Sequence, residues 1–222
     1  MKPVAIFRSP FGSKFGTPRQ SGLADITGEV CLCGEYKREE ALRGLDSFSY
    51  LWLIWEFSEN ADREWQATVR PPRLGGNRSM GVFATRSPFR PNPLGLSSVK
   101  IEKIDFEKCI IKVRGADLID GTPVYDIKPY LEYADSHIGA GNGFADKYEW
   151  QKLEVEFAAG LEEELEAVLS EEEMAVLKEV LALDPRPHYQ NDPEKGYGFP
   201  FKDIDIRFKI KNGKLTVYNI IK

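Results

Sequence analysis

Short apolar runs, cut at close intervals by proline and glycine, fill the first 136 residues. Eight of them predict strands: Pro3–Phe7, Thr27–Cys33, Ser49–Phe57, Trp65–Arg70, Gly81–Thr85, Leu96–Ile104, Cys109–Arg114 and Val124–Tyr130. Consecutive strands with only one short helical segment between them, Arg38–Leu45, point to a closed or strongly curved antiparallel sheet. Alternating βαβ units would need a helix at every crossover. The proline-bearing segments between strands are then long ordered loops, a feature often tied to function. Composition shifts to Gly, Asn and Ala around residues 136–148. Beyond it Leu153, Val155 and Phe157 alternate within Gln151–Phe157, a strand pattern. Gly160–Leu183 carries the helical spacing in Leu165, Val168, Leu169, Met174, Leu177 and Leu181, and Ser170 with Glu173 has capping-box spacing. Ile204–Ile210 and Leu215–Ile221, joined through Asn212-Gly213, predict a hairpin. The fold class is therefore mainly β with an α+β tail. The expected domains are 1–136 and 150–222.

Composition narrows this picture. The chain has 222 residues, of which 42% are apolar and 12% aromatic, which excludes a disordered protein. That length accommodates one full domain and a small second one, with no need for a disulfide scaffold. The apolar run Val4–Phe7 ends at Arg8, short of a signal peptide's core. Tyr50–Trp55, the longest apolar run, is far below the ~20 residues of a membrane span. A cytoplasmic protein with no membrane partner is expected. The odd count of cysteines, Cys31, Cys33 and Cys109, without a secretory signal does not suggest a disulfide framework. Cys31 and Cys33 share one face of a strand, but His137 and His188 lie far from them in sequence, so no four-ligand zinc set is expected.

The formal net charge of −5 argues against a general nucleic-acid binder. It averages two unlike parts. Residues 1–136 hold 19 basic and 18 acidic side chains, and residues 137–222 hold 11 and 17. Eight glutamates against the single Lys178 mark the helical stretch as a solvated acidic face. From Trp65 to Ile101 there is no acid at all, while Arg70, Arg73, Arg78, Arg86, Arg90 and Lys100 make the stretch +6. Arginine forks recognise phosphate and carboxylate. Here they stand among Pro71, Pro72, Pro88, Pro91 and Pro93, which stiffen the loops, and glycines that let a ligand come close. Pro10–Leu23 repeats the theme with Lys14, Arg19 and Gln20. A third segment, Ala116–Tyr130, contains the turn Asp120-Gly121-Thr122-Pro123 and places Asp126 and Lys128 on one strand face. Neither dinucleotide nor P-loop glycine patterns occur. Ser9 and Ser87 lack a sequence-adjacent base, which argues against a covalent nucleophile.

The blocks VRPPRLGGN (residues 69–77), GVFATRSPFRPNPLGLS (81–97), DLIDGTPVYDIKPY (117–130), RSPFGSKFGTPRQ (8–20), RGLDSFSYLWLIWEF (43–57) and DPRPHY (184–189) resemble the TsaA/TrmO family over nearly the whole chain. The resemblance implies an antiparallel β-barrel (TsaA-like, non-Rossmann) followed by a small C-terminal α+β domain, acting as a homodimer. It implies a methyltransferase that uses S-adenosyl-L-methionine as cofactor. Its substrate would be tRNA carrying threonylcarbamoyladenosine at position 37, methylated at N6. Carried across, the cofactor positions are Pro18, Arg19, Gln20, Ser58, Glu59, Arg86, Leu96, Asp120, Gly121, Thr122 and Pro123. The family has Phe-His where this chain has Phe57-Ser58, and Ser-His at Ser49-Tyr50. The DPRPHY block implies tRNA contacts for Asp184, Arg186 and Tyr189.

Methyl transfer is an in-line displacement that needs placement of N6 against the methyl group, with neither metal nor covalent nucleophile. The carbamoyl group delocalises the N6 lone pair, so a general base would help. Asp120 and Asp126, the acids of the third segment, are the expected candidates. Arg19 and Arg86 are expected to face the cofactor or the base, and Arg73, Arg78 and Arg90 the tRNA phosphates or the threonyl carboxylate. The alternative is a non-catalytic S-adenosylmethionine-binding protein of the same fold, with a regulatory or partner-binding role.

Overall fold

The computed structural model describes residues 1–71, 78–147, 152–186, 192 and 194–222, with Lys147 described in its backbone alone. Arg73, His188 and Tyr189 therefore lie outside the described residues. The strands are β1 (Ala5–Arg8), β2 (Thr27–Leu32), β3 (Tyr50–Glu56), β4 (Thr68–Val69), β5 (Met80–Gly81), β6 (Leu94–Asp105), β7 (Ile110–Arg114), β8 (Pro123–Pro129), β9 (Glu154–Phe157), β10 (Tyr197–Phe201), β11 (Ile204–Lys211) and β12 (Lys214–Ile221). The helices are α1 (Glu132–Asp135), α2 (Leu161–Glu166) and α3 (Glu171–Ala182).

Six antiparallel strands close into a barrel in the order β1-β2-β7-β6-β3-β8, sealed where Ala5 meets Val124. The period-two alternation drives this closure. Phe7, Val30, Leu51, Leu53, Val99, Ile111, Val113 and Val124 all point inward and are 0–1% exposed. Within β3 the inward residues alternate with the outward Tyr50, Trp52 and Ile54.

The second core lies on the tail. There β10-β11-β12-β9 form a sheet, antiparallel but for the parallel pair β12–β9, and α2 and α3 supply Leu165, Leu177 and Leu181 to the same core. The β11–β12 hairpin turns through Asn212 and Gly213, both at positive φ, as the Asn-Gly pair predicts. β10 carries Tyr197, Phe199 and Phe201 inward but is interrupted by the exposed Pro200, which a strand tolerates at a sheet edge. That proline hides the strand from a reading of the sequence.

Three further segments depart from the sequence pattern. Gly81–Thr85 is mostly a 3-10 turn over Val82–Ala84, closed by the Thr85 hydroxyl on the Val82 carbonyl at 2.9 Å. Arg38–Leu45 forms a 3-10 turn over Glu39–Leu42 that ends at Arg43, whose ψ of 124° leaves the helical region, with Gly44 following at φ 83°. The long helical stretch is two helices, since the Ser170–Glu173 capping box starts a new one.

The loop between β1 and β2 joins the two cores. Phe11, Ala24 and Ile26 belong to the tail's apolar cluster, and Phe11 meets Phe201 edge-on with ring centres 5.6 Å apart. Gly16, at φ 90°, lies so close to Phe199 that a Cβ there would be 2.3 Å from the ring. Arg114 of β7 reaches Asp25, Glu102 and, on α3, Glu172, at 2.9, 2.9 and 2.5 Å. These contacts pin residues 9–26 against one end of the barrel.

Candidate functional site

A cavity of about 660 Å³ opens at that end, within the usual range for small-molecule sites. One wall is the pinned loop, with Lys14 and Thr17 to Ser21. A second is Trp52, Trp55, Glu56, Phe57 and the turn Ser58–Asn60 that follows β3. A third comes from Thr85, Arg86, Pro88 and Arg90 with the start of β6, Leu94 to Leu96. Asp117, Ile119 and Thr122 form the inner end.

Local structure explains each placement. Trp55 stands opposite Gly95 in the β3–β6 register, and its indole lies across that residue: a Cβ on Gly95 would be 2.3 Å from the ring. The ring can therefore reach Ser97, two residues further along the same face. Trp55 Nε1 donates to Ser97 Oγ at 2.9 Å, and Ser97 Oγ donates to Asp117 Oδ1 at 2.5 Å. Burial pushes the Asp117 carboxyl above the usual range, while the Ser97 hydroxyl, backbone N–H groups of Asp117 and Ser21, and the Arg86 charge pull against it. Arg86 donates to Gln20 Oε1, tying the arginine loop to the Pro18–Gln20 segment. Arg19 donates to the Arg186 carbonyl at 3.1 Å, so the tail braces this wall. Glu56 accepts from the Tyr125 hydroxyl at 2.8 Å, and Glu59 pairs with Lys14 at 3.6 Å.

The structure brings together Pro18, Arg19, Gln20, Ser58, Glu59, Arg86, Leu96 and Thr122 around one cavity. Asp120, Gly121 and Pro123 are absent from its lining. Asp120 pairs with Arg8 at 3.3 Å and accepts from the Ser9 amide at 3.1 Å. Gly121 makes the turn at φ 77° and donates to the Phe7 carbonyl, and Pro123 starts β8 opposite Ile6. Asp126 lies on β8, paired with Lys128 at 3.0 Å, and does not line the cavity either. Of the arginines expected to meet tRNA, Arg90 lines the cavity and also braces its own loop by donating to the Val82 and Thr85 carbonyls at 3.1 and 2.8 Å. Arg78 is exposed away from the lining. Asp184 and Arg186 form a largely buried pair at 3.0 Å. Sequence pattern alone does not single out Trp55, Ser97 and Asp117. Their common signal is only a strand register that the sequence does not encode locally.

Among the described residues no group of three or more His, Cys, Asp or Glu could hold a metal ion, and no helix is long and apolar enough to cross a membrane.

Residues 6–136 match the family model described as the tRNA-methyltransferase O N-terminal domain, and residues 150–222 match the TrmO C-terminal domain. A tRNA (adenine(37)-N6)-methyltransferase of Escherichia coli (strain K12) is 41% identical over 222 residues, which cover 97% of this chain and 94% of that protein. A putative S-adenosylmethionine-dependent methyltransferase of Pseudomonas aeruginosa is 40% identical over 216 residues, covering 94% and 91%. A crystal structure of TrmO from Pseudomonas aeruginosa superposes with a TM-score of 0.79 at 30% identity, covering 100% of this chain and 97% of that one.

Proposed function

The chain belongs to the tRNA-methyltransferase O family, and from that premise we propose its function in full. It is an S-adenosyl-L-methionine-dependent tRNA (adenine-N6)-methyltransferase acting at the anticodon-adjacent adenosine. The finer reading is that this adenosine carries a threonylcarbamoyl group and that two copies of the chain work as a homodimer. The observation that carries the proposal is the convergence of Pro18–Gln20, Ser58, Glu59, Arg86 and Leu96 on one cavity at the barrel end.

The residues present suit this cofactor, which carries a carboxylate, an ammonium, a sulfonium and an adenine. Arg19 and Arg86 would hold the carboxylate, Glu56 and Glu59 would face the cationic groups while keeping Tyr125 and Lys14, and Trp52, Trp55 and Phe57 would meet the flat base. When bound, the cofactor supplies an electrophilic methyl group on a positively charged sulfur. The protein then has to bind, orient and exclude water. Arg86 is fixed by Gln20, and Arg19 by the Arg186 carbonyl, so both guanidinium groups are pre-organised before a ligand arrives. Arg90 at the rim offers its charge to the threonyl carboxylate. Self-association is supported by apolar side chains that the single chain leaves in solvent, Tyr50, Leu96 and Phe83 being 42%, 56% and 74% exposed.

The reading is tested by incubating the purified protein with labelled S-adenosylmethionine and tRNA from cells that lack the gene. Label should enter tRNA, and Arg86→Ala should abolish transfer while weakening cofactor binding in calorimetry. Cofactor binding without any transfer would favour the non-catalytic alternative. Sedimentation at micromolar concentration should give a dimer; a monomer would refute the homodimer.

A further inference from the structure

The geometry points to Asp117 as the group that receives the N6 proton during methyl transfer, held for that role by the hydrogen-bond chain from Trp55 through Ser97. This rests on the functional reading above, because it needs an N6 nucleophile.

The chain has a fixed direction. An indole N–H can only donate, so Trp55 spends its hydrogen on Ser97 Oγ. The single Ser97 hydrogen is thereby turned to Asp117 Oδ1. Oδ1 is then an acceptor, and the carboxyl also receives the backbone N–H groups of Asp117 and Ser21, so an arriving proton takes one of its remaining lone pairs. Ser97 is 1% exposed and Trp55 7%, so water does not reach the chain from behind, while Asp117 itself lines the cavity.

The other acids are differently engaged. Glu56 holds the Tyr125 hydroxyl and Glu59 pairs with Lys14. Asp120 and Asp126, the acids of the sequence expectation, pair with Arg8 and Lys128 away from the lining. Among the described residues Asp117 has no salt bridge, and Arg86, whose charge acts on it, is bonded to Gln20. Burial raises the basicity of Asp117, as a proton acceptor requires.

The step balances. The N6 lone pair forms the new N–C bond as the C–S bond breaks and its electron pair stays on sulfur. The N6 proton passes to a remaining lone pair of the Asp117 carboxylate. One positive and one negative charge both disappear, so the product state leaves no separated charges in a desolvated cavity. Without the acceptor, the same transfer leaves a cationic N6 conjugated to a carbonyl.

The test uses the full chain with Asp117→Asn and Ser97→Ala, each checked for a native circular-dichroism spectrum. Calorimetry with S-adenosylhomocysteine should give Asp117→Asn an affinity within about threefold of the parent. Its single-turnover transfer rate to tRNA should fall by about a hundredfold or more. In the parent, the rate should rise tenfold per pH unit to a midpoint above the ordinary aspartate value of about 3.9, and Ser97→Ala should move that midpoint further up. The cofactor-free protein offers a second readout. The Trp55 indole ¹H–¹⁵N resonance should titrate with a midpoint that is also above the ordinary aspartate value, and lose that titration in Asp117→Asn. Transfer by Asp117→Asn within about fivefold of the parent would overturn the assignment. So would an affinity loss as large as the rate loss, which would make Asp117 a cofactor anchor, or a Trp55 resonance that does not titrate. A parent protein that methylates no tRNA would instead refute the functional reading.

Discussion

Replacing Gly95 by alanine should damage the fold and the site together, by an amount that can be worked out. The new Cβ would stand 2.3 Å from Cε2, 2.5 Å from Cζ2 and 2.7 Å from Cδ2 of Trp55. Carbon atoms in contact prefer roughly 3.5–4.0 Å, so the indole must retreat by more than about 1 Å. It has nowhere to go without loss. The ring is 7% exposed, meets Phe57 edge-on at 4.4 Å, and is tied to Ser97. Overpacking of this kind costs about 1–3 kcal/mol, and the broken hydrogen bond adds about 1, giving roughly 2–4 kcal/mol. For a chain of this size that is a fall in Tm of roughly 4–16 °C. Urea unfolding followed by tryptophan fluorescence measures it. The double variant Gly95→Ala/Trp55→Leu should lose at least about 1 kcal/mol less than the sum of the two single variants, since the smaller side chain vacates the clash. A single-variant loss under about 0.5 kcal/mol, or strict additivity in the double variant, would refute the reasoning.

Four other outcomes are expected. Ser170→Ala removes the α3 cap and should cost about 1 kcal/mol in denaturant unfolding. Glu173 is held below the usual carboxylate range by Lys202 first and by the Ser170 backbone N–H, so its contribution is present above the unfolded glutamate value and lost as pH falls through the lower folded one. Lys202→Met should flatten that acid-side decline in Tm, and an unchanged decline would show that the pair is inert. Arg114→Met leaves Asp25, Glu102 and Glu172 facing one another and should cost roughly 1–2 kcal/mol, discounted for their exposure; a cycle with Glu172→Gln isolates the contact between barrel and tail. Gly16→Ala combines a φ of 90° with a 2.3 Å approach to Phe199, and should speed amide exchange across β10 before it affects the barrel.

Much of this fold is written in local pattern. The alternation in Thr27–Leu32 and Tyr50–Glu56 marks barrel strands because one face is buried, and Asn212-Gly213 marks its hairpin because both residues must take positive φ. What escapes the sequence is what depends on register or on distant partners. Pro200 disguises β10, and the parallel β12–β9 pairing has no local sign. The loop carrying Phe11 and Phe15 reads as polar and glycine-rich, yet its aromatic rings complete the tail's core. The site divides the same way. The arginine- and proline-rich segments announce themselves by composition, whereas Asp117 gains its place because β3 and β6 align Trp55 with Gly95 and bring Ser97 within reach. Asp120, three residues on, has the same chemistry and a more conspicuous turn, but its carboxyl is turned to Arg8.

The most direct measurement is nucleoside mass spectrometry of the anticodon-loop adenosine after reaction of the purified protein with S-adenosylmethionine. Two tRNA preparations are needed, one with and one without the threonylcarbamoyl group. The threonylcarbamoyl nucleoside should become one methylene heavier, with fragmentation placing the methyl on N6, and the preparation lacking the group should stay unchanged. Methylation of the unmodified adenosine, a methyl on another nucleoside, or no product with cofactor bound would contradict the proposed function.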